Sequence, residues 1–239
     1  MTIASPPRRS AAAPAPKPRA ARAPKPPRLR VVVTAGPTRE YIDPVRYLSN
    51  ESSGRMGFEI AAAARRAGHE VTLIAGPVHM PTPKGVTRID VVSARDMLAA
   101  LKLAFAGADA VFMAAAVADF RPARKIAGKW KKKEEGGGGA TLDLVENPDL
   151  LRTVAQRKGA RRVIAFALET GDGERRAAAK LVKKNADWIV LNGASALNAA
   201  ESSVTVIDAQ GVLWRNEARP KGETAARLVE LLTTEPRRA

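Results

Sequence analysis

From residue 29 onward, short apolar runs of strand character alternate with longer runs of helical character, and this alternation limits the fold more than any other feature of the chain. The pattern predicts strands over Leu29–Ala35, Glu70–Ala75, Val86–Val92, Ala110–Ala116, Ala140–Val145, Arg162–Leu168, Trp188–Leu191, Val204–Asp208 and Val212–Arg215. It predicts helices over Arg55–Arg66, Ala94–Ala106, Pro148–Arg157, Glu174–Asn185 and Thr224–Leu232. Helices placed between successive strands imply a mostly parallel sheet covered on both faces. The expected fold is therefore an α/β, Rossmann-like three-layer sandwich, with a C-terminal antiparallel strand pair turning at Ala209-Gln210-Gly211. Such sheets bind ligands beyond the carboxyl ends of their strands, at the point where the strand order reverses.

The core must be aliphatic, because 45% of the residues are apolar but only 4% are aromatic. At 239 residues, one domain with a tail is expected. Residues 1–28 form a basic Pro/Ala-rich tail whose prolines block helix and whose apolar content cannot offset ordering entropy, so disorder is expected there. About half of the net charge of +16 lies in that tail, which weakens a nucleic-acid reading of the charge. The pair Arg8-Arg9 is followed by no apolar export segment, and no uncharged apolar run approaches membrane-spanning length. A cytoplasmic protein without a membrane segment is expected. The absence of cysteine excludes disulfides, thiolate metal sites and cysteine nucleophiles. His69 and His79 are too few for a histidine-based zinc site and read as surface residues.

Four loops that follow strands carry unusual chemistry. In VVVTAGPTREYIDPVRYLSNESSGRMG, a long polar insert separates Gly36 from a helix opened by Ser52, Ser53 and Gly54. A helix N-terminus preceded by serines and a glycine suits an anion, although serines also serve as caps. In the same insert, Asn50 offers uncharged amide donors and Arg46 a planar fork for carboxylate or phosphate. The second loop, AAAVADFRPARK, presents Asp119, a carboxylate for ribose hydroxyls or a metal, or else a turn cap. Beyond it, KIAGKWKKKEEGGGGA reads either as a flap carrying lysine to a phosphate or as a solvated linker, and composition alone favours the linker. The third feature is AFALET, with Phe166 and Glu169. The fourth is ERRAAAKLVKKNAD, where Lys180 and Lys184 share a helix face. Screening by solvent is the common fate of such a lysine pair; only convergence of the loops favours phosphate. No G-x-G-x-x-G follows the first strand and no P-loop motif occurs, so neither of those nucleotide modes is supported.

Taken in order and spacing, AGPTREYIDPVRYLSNESSGRMG, AAAVADFRP, GKWKK, ENPDLL, FALET and KLVKKNAD resemble the phosphopantothenoylcysteine synthetase family over about Leu29 to Leu232, within a domain expected to span 29–235. The resemblance implies a ligase of coenzyme A biosynthesis. The carboxylate of 4'-phosphopantothenate attacks the α-phosphate of CTP, pyrophosphate leaves, and L-cysteine then displaces CMP from the acyl-cytidylate. By the same resemblance, Asn50 turns over the acyl-cytidylate with help from Arg46, and Lys129 binds CTP and supports activation. Met113, Ala114 and Ala115 lie against the nucleotide, Asp119 holds its ribose, and Pro148, Asp149, Leu150, Leu151, Phe166, Lys180 and Lys184 complete its contacts. Gly36, Ser52, Ser53 and Gly54 bind phosphate or substrate. Mg²⁺ is expected to accompany CTP, its protein ligands being unspecified, and no flavin is expected in this chain.

The resemblance further implies a homodimer, with Val204, Val206 and Val212 on a dimerisation element, and a separate flavin-dependent decarboxylase as partner, since only the basic tail precedes the match. Three departures from the family pattern stand out. FALET replaces FAAET, LNGAS replaces an Asn-Asp pair, and Trp130 with four following glycines alters the flap. The competing readings are an ATP-using relative of the same ligase and a basic nucleic-acid-binding protein.

Overall fold

The computed structural model describes residues 27–131, 139–168, 172–193 and 201–237. Expectations placed on residues 1–26, on Glu169, on the flap glycines 136–138 and on Ala194-Ser195 of LNGAS lie outside the described residues. The sheet is built from β1 (Arg30–Ala35), β4 (Glu70–Ala75), β5 (Thr87–Asp90), β6 (Ala110–Met113), β9 (Arg162–Leu168), β10 (Trp188–Asn192), β11 (Glu201–Asp208) and β12 (Gly211–Pro220). Its order is β12-β11-β10-β9-β6-β1-β4-β5. The six strands from β5 to β10 run parallel, and β11 and β12 extend the sheet antiparallel. This is the expected α/β architecture with its C-terminal strand pair.

Period-two alternation along β1 sorts the core into two layers. Val31, Val33 and Ala35 pack with Phe58, Ile60 and Ala64 of α1 (Arg55–Arg66) and with Leu228 of α5 (Lys221–Val229). Val32 faces the other way, with Met97, Leu101 and Phe105 of α2 (Ala94–Ala106), Leu150 and Val154 of α3 (Leu150–Ala155), and Leu181 of α4 (Gly173–Lys184). Among the parallel strands, those following β1 in sequence first build outward on one side, as β4 and β5. The chain then crosses back, so that β6, β9 and β10 build on the other. The reversal falls between β1 and β6, which places the ligand crevice at their carboxyl ends.

Several sequence expectations are corrected here. The polar insert is not merely a loop, since it folds into a hairpin of β2 (Arg39–Tyr41) and β3 (Tyr47–Ser49). The hairpin is tied down where the Arg39 N–H donates to Val92 O at 2.8 Å and buried Glu40 accepts the Ala94 N–H at 2.8 Å. The strand expected over Ala140–Val145 lies outside the central sheet; Leu144–Glu146 (β8) pairs instead with an unforeseen β7 (Phe120–Pro122). The strand expected over Ala110–Ala116 stops at Met113, because the next residues leave the sheet to line a cavity. His69 is no surface residue: it is 2% exposed, its Nδ1 accepts the Leu29 N–H at 3.2 Å, and burial pushes its pKa down.

The turn after β4 allows no side chain. The Gly76 N–H donates to Ala35 O at 2.9 Å, and a Cβ built at Gly76 would lie 1.7 Å from the Pro37 carbonyl oxygen. Gly76→Ala is therefore expected to lower unfolding stability by on the order of 3 kcal/mol or more, through backbone displacement beside the crevice. Urea denaturation measures it, and a loss below about 0.5 kcal/mol would show that the turn yields freely.

Candidate functional site

The loops leaving β1 and β6 are fastened side by side. Thr34 Oγ1 accepts the Ala115 N–H at 3.2 Å, Gly36 O accepts the Ala116 N–H at 2.9 Å, and Thr38 Oγ1 accepts the Ala118 N–H at 3.1 Å. Two cavities of about 490 and 510 Å³ open at this seam. They share Ala115, Val117, Asp119, Phe166 and Lys180 as a common wall.

The first cavity receives the N-terminus of α1, with Asn50, Ser52, Ser53 and Gly54 on its wall. No side chain caps this helix, so the capping alternative for the serines does not hold; Ser52 Oγ accepts from the Gly54 N–H at 3.3 Å instead. Gly54 is the N-cap at φ 76°, a left-handed conformation that disfavours other residues, and a Cβ there would lie 3.1 Å from Gly36 Cα. Gly36 thus supports Gly54 from behind without lining either cavity. The first turn of α1 carries no acid to offset the positive end of its dipole, and Arg55 adds a cation there. Asn50 donates Nδ2–H to Ala116 O at 2.8 Å, which fixes its amide against the seam.

The second cavity is lined by Met113, Asp119, Pro148, Asp149, Leu150, Leu151, Phe166, Lys180 and Lys184. Ala115 belongs to both cavities and Ala114 to the first. Asn147 holds this rim in place: its Nδ2 donates to Ala118 O at 2.8 Å and its N–H to Asp119 O at 2.7 Å. The lysine pair is resolved unevenly. Lys184 is ion-paired with Asp149, which also caps α3 by accepting the Arg152 N–H at 2.9 Å. Lys180 forms no ion pair among the described residues.

Arg46 and Lys129 line neither cavity. Arg46 is held by Asp43, with Nε and Nη2 at 2.9 and 2.7 Å from Oδ2, and its guanidinium also donates to Trp130 O. The Trp130 N–H donates to the same Asp43 oxygen at 3.0 Å, so Asp43 and Arg46 grip both backbone polar groups of Trp130 and park Lys129 beside the insert. Burial would raise the pKa of Asp43. The N–H groups of Trp130, Val45 and Arg46 and the Arg46 guanidinium outweigh it and hold the carboxyl well below the usual carboxylate range.

The site also draws on residues that sequence reasoning missed. Arg55, Asn192, Ser202 and Lys221 line the first cavity. Lys221 opens α5, where a cation opposes the helix dipole, but the helix expected from sequence begins only at Thr224, so nothing marked Lys221 in sequence. Ser202 carried no signal at all. Among the described residues no group of three or more His, Cys, Asp or Glu side chains could hold a metal, and no helix is long and apolar enough to cross a membrane.

Residues 28–235 match the DNA/pantothenate metabolism flavoprotein C-terminal domain. The coenzyme A biosynthesis bifunctional protein CoaBC of Vibrio cholerae is 45% identical over 188 residues, covering 76% of this chain and 47% of that protein. The chain therefore spans about half the length of the curated relatives it matches. A crystal structure of the C-terminal domain of a coenzyme A biosynthesis bifunctional protein CoaBC is 36% identical, with a TM-score of 0.73, covering 85% of this chain and 93% of that one. A Cab2 mutant in complex with phosphopantothenate-cysteine is 16% identical with a TM-score of 0.70, covering 85% of each chain, which shows a shared fold.

The Asp43 clasp makes a pH-dependent prediction. A depressed native pKa gives stability that is fully present above the unfolded value of about 3.9 and is lost as pH falls through the native value. Wild type should exceed Asp43→Asn in thermal midpoint at neutral pH, and the gap should close under strong acid. Amide exchange at Trp130 should accelerate in the variant. A gap that persists unchanged into strong acid would show that the carboxylate charge is not what holds the clasp.

Proposed function

This chain belongs to the DNA/pantothenate metabolism flavoprotein C-terminal domain family, and on that premise we propose that it joins 4'-phosphopantothenate to L-cysteine in coenzyme A biosynthesis, using CTP to activate the carboxylate. The observation that carries this reading is the shared wall. Asp119, Phe166 and Lys180 stand between a cavity suited to a nucleoside and one that receives an uncapped helix N-terminus and Asn50.

In this reading the nucleoside occupies the second cavity, against Met113, Leu150, Leu151 and Phe166, with Asp119 accepting from ribose hydroxyls. The phosphates extend over the wall toward α1, whose first-turn N–H groups and Gly54 admit them closely. A carboxylate oxygen of 4'-phosphopantothenate bonds to the α-phosphorus, and the bond to the bridging oxygen breaks with its electron pair leaving on pyrophosphate. The cysteine amine then bonds to the acyl carbon, CMP departs with the electron pair of the broken C–O bond, and the amine proton is lost to solvent. Asn50, oriented by Ala116 O, keeps one amide hydrogen for the acyl oxygen as it gains negative charge.

Mg²⁺ fits here as a companion of the triphosphate rather than as a resident ion, because the described residues offer isolated carboxylates and no cluster. Asp119 would hold it, and the ion would neutralise phosphate charge. Arg46 and Lys129 belong to the same proposal through the peptide grip at Trp130, which sets where Lys129 starts. A homodimer built on the C-terminal strands and a cytoplasmic location complete the reading.

The test is pyrophosphate release with 4'-phosphopantothenate, Mg²⁺ and either CTP or ATP, with and without cysteine. Wild type should turn over only with all components and CTP. Asn50→Ala should release about one equivalent and then slow by roughly 10²–10³-fold, the loss typical of one donor to a developing oxyanion, while acyl-cytidylate accumulates. Equal turnover with ATP would reassign the nucleotide, and no release with either would sink the ligase reading.

A further inference from the structure

The pairing of β11 with β12 sets Glu201 opposite Pro220 and Ser202 opposite Arg219, so the start of β11 and the first residue of α5 arrive together at one corner of the first cavity. Ser202 and Lys221 both line that cavity. Ser202 is 3% exposed, and its hydroxyl has no hydrogen-bond partner among the described residues. Interiors seldom leave a buried hydroxyl without a hydrogen-bond partner, and at a cavity wall a ligand can supply one. Lys221 is 7% exposed.

Burial and then the charge of Arg55 push the lysine's pKa down, so two cations stand near one another at the N-termini of α5 and α1. Each also opposes its own helix dipole. Lys180 brings a third cation to the same cavity, whose lining carboxylates are Glu51 and Asp119. An arrangement that disfavours its own charges and leaves a buried donor unused is matched by a multiply charged anion. The anion would give the Ser202 hydroxyl an acceptor and place negative charge before Lys221, Arg55 and the N-terminus of α1.

We propose that Ser202 and Lys221 form the subsite for the two outer phosphoryl groups of the nucleotide. Lys221 binds a phosphoryl oxygen through a charge-assisted hydrogen bond, and Ser202 donates its hydroxyl to another. The identity of the anion rests on the ligase reading; the corner itself requires only phosphoryl chemistry. When the bond between the α-phosphorus and the bridging oxygen breaks, the electron pair stays on the departing pyrophosphate, and these groups meet the added charge without reorganising. The other phosphoryl source in the reaction, the phosphate of 4'-phosphopantothenate, is the alternative that the experiment separates.

Calorimetric titration of the full chain with inorganic pyrophosphate, CMP and 4'-phosphopantothenate decides it. Lys221→Met should weaken pyrophosphate binding by about tenfold or more and Ser202→Ala by about threefold to tenfold, with CMP and 4'-phosphopantothenate held within about twofold. Unchanged pyrophosphate affinity in both variants overturns the proposal, as does a loss confined to 4'-phosphopantothenate. Should Lys221→Met fail to fold, Ser202→Ala and Lys221→Gln carry the same test. Because the titration needs no turnover, wild type that binds pyrophosphate through Lys221 but releases none from CTP upholds the corner and sinks the ligase reading. Normal turnover with unchanged pyrophosphate affinity in the variants sinks the corner alone.

Discussion

The hydrogen bonds that fasten the loop after β1 to the loop after β6 hold up everything at the site. Thr34, Gly36 and Thr38 each accept an N–H from the segment Ala115–Ala118. The seam satisfies backbone that would otherwise be stranded where two neighbouring strands send their connections in opposite directions. It also builds the cavities, since the carbonyls left facing outward are the ones that Asn50 and Asn147 use. A Rossmann crevice with a tight glycine turn seats a pyrophosphate on a helix directly after the strand. Here the helix is displaced by 18 residues of insert between Gly36 and Arg55, and the helix end still returns to the same place because Gly54 packs against Gly36.

The displacement accounts for what the sequence could and could not reveal. Strand and helix periodicity needs only neighbours in the chain, so β1, β4, β6, β9 and β10 and the helices that cover them were legible within a few residues of their bounds. The β2–β3 hairpin was not, because its strands are three residues each and are held by Val92 and Ala94, some fifty residues away. Residues of the first site motif line the first cavity where the loop itself faces the seam, as at Asn50, Ser52 and Gly54. Arg46 read as a carboxylate or phosphate fork, and the structure gives its guanidinium a carboxylate inside the chain, that of Asp43. Ser202 and Lys221 reach the cavity only through the antiparallel register of the last two strands, which no local pattern encodes.

Charge tells the same story at larger scale. The net charge of +16 looks like a nucleic-acid signal until its placement is known. Inside the site, cations are assigned unequally. Lys184 has Asp149 and Arg46 has Asp43, whereas Lys180 has no ion-pair partner among the described residues and Arg55 stands at a helix end that repels it. Paired cations shape the protein and unsatisfied ones shape the ligand, because only the latter gain by binding an anion.

The C-terminal hairpin therefore has two obligations at one set of coordinates. As β11 and β12 it adds two antiparallel strands to the parallel sheet, with Val204, Val206 and Ile207 buried on its inner faces. As a wall it ends at Ser202 and Lys221, and the Ser202 hydroxyl, buried without a partner among the described residues, weakens the corner that it closes. A one-residue slip in the register of β11 on β12 would turn Val204 and Val206 outward and withdraw Ser202 from the cavity together. Packing and polar placement are thus fixed by the same pairing, so the burial of Val204 and Val206 also holds Ser202 at the cavity wall.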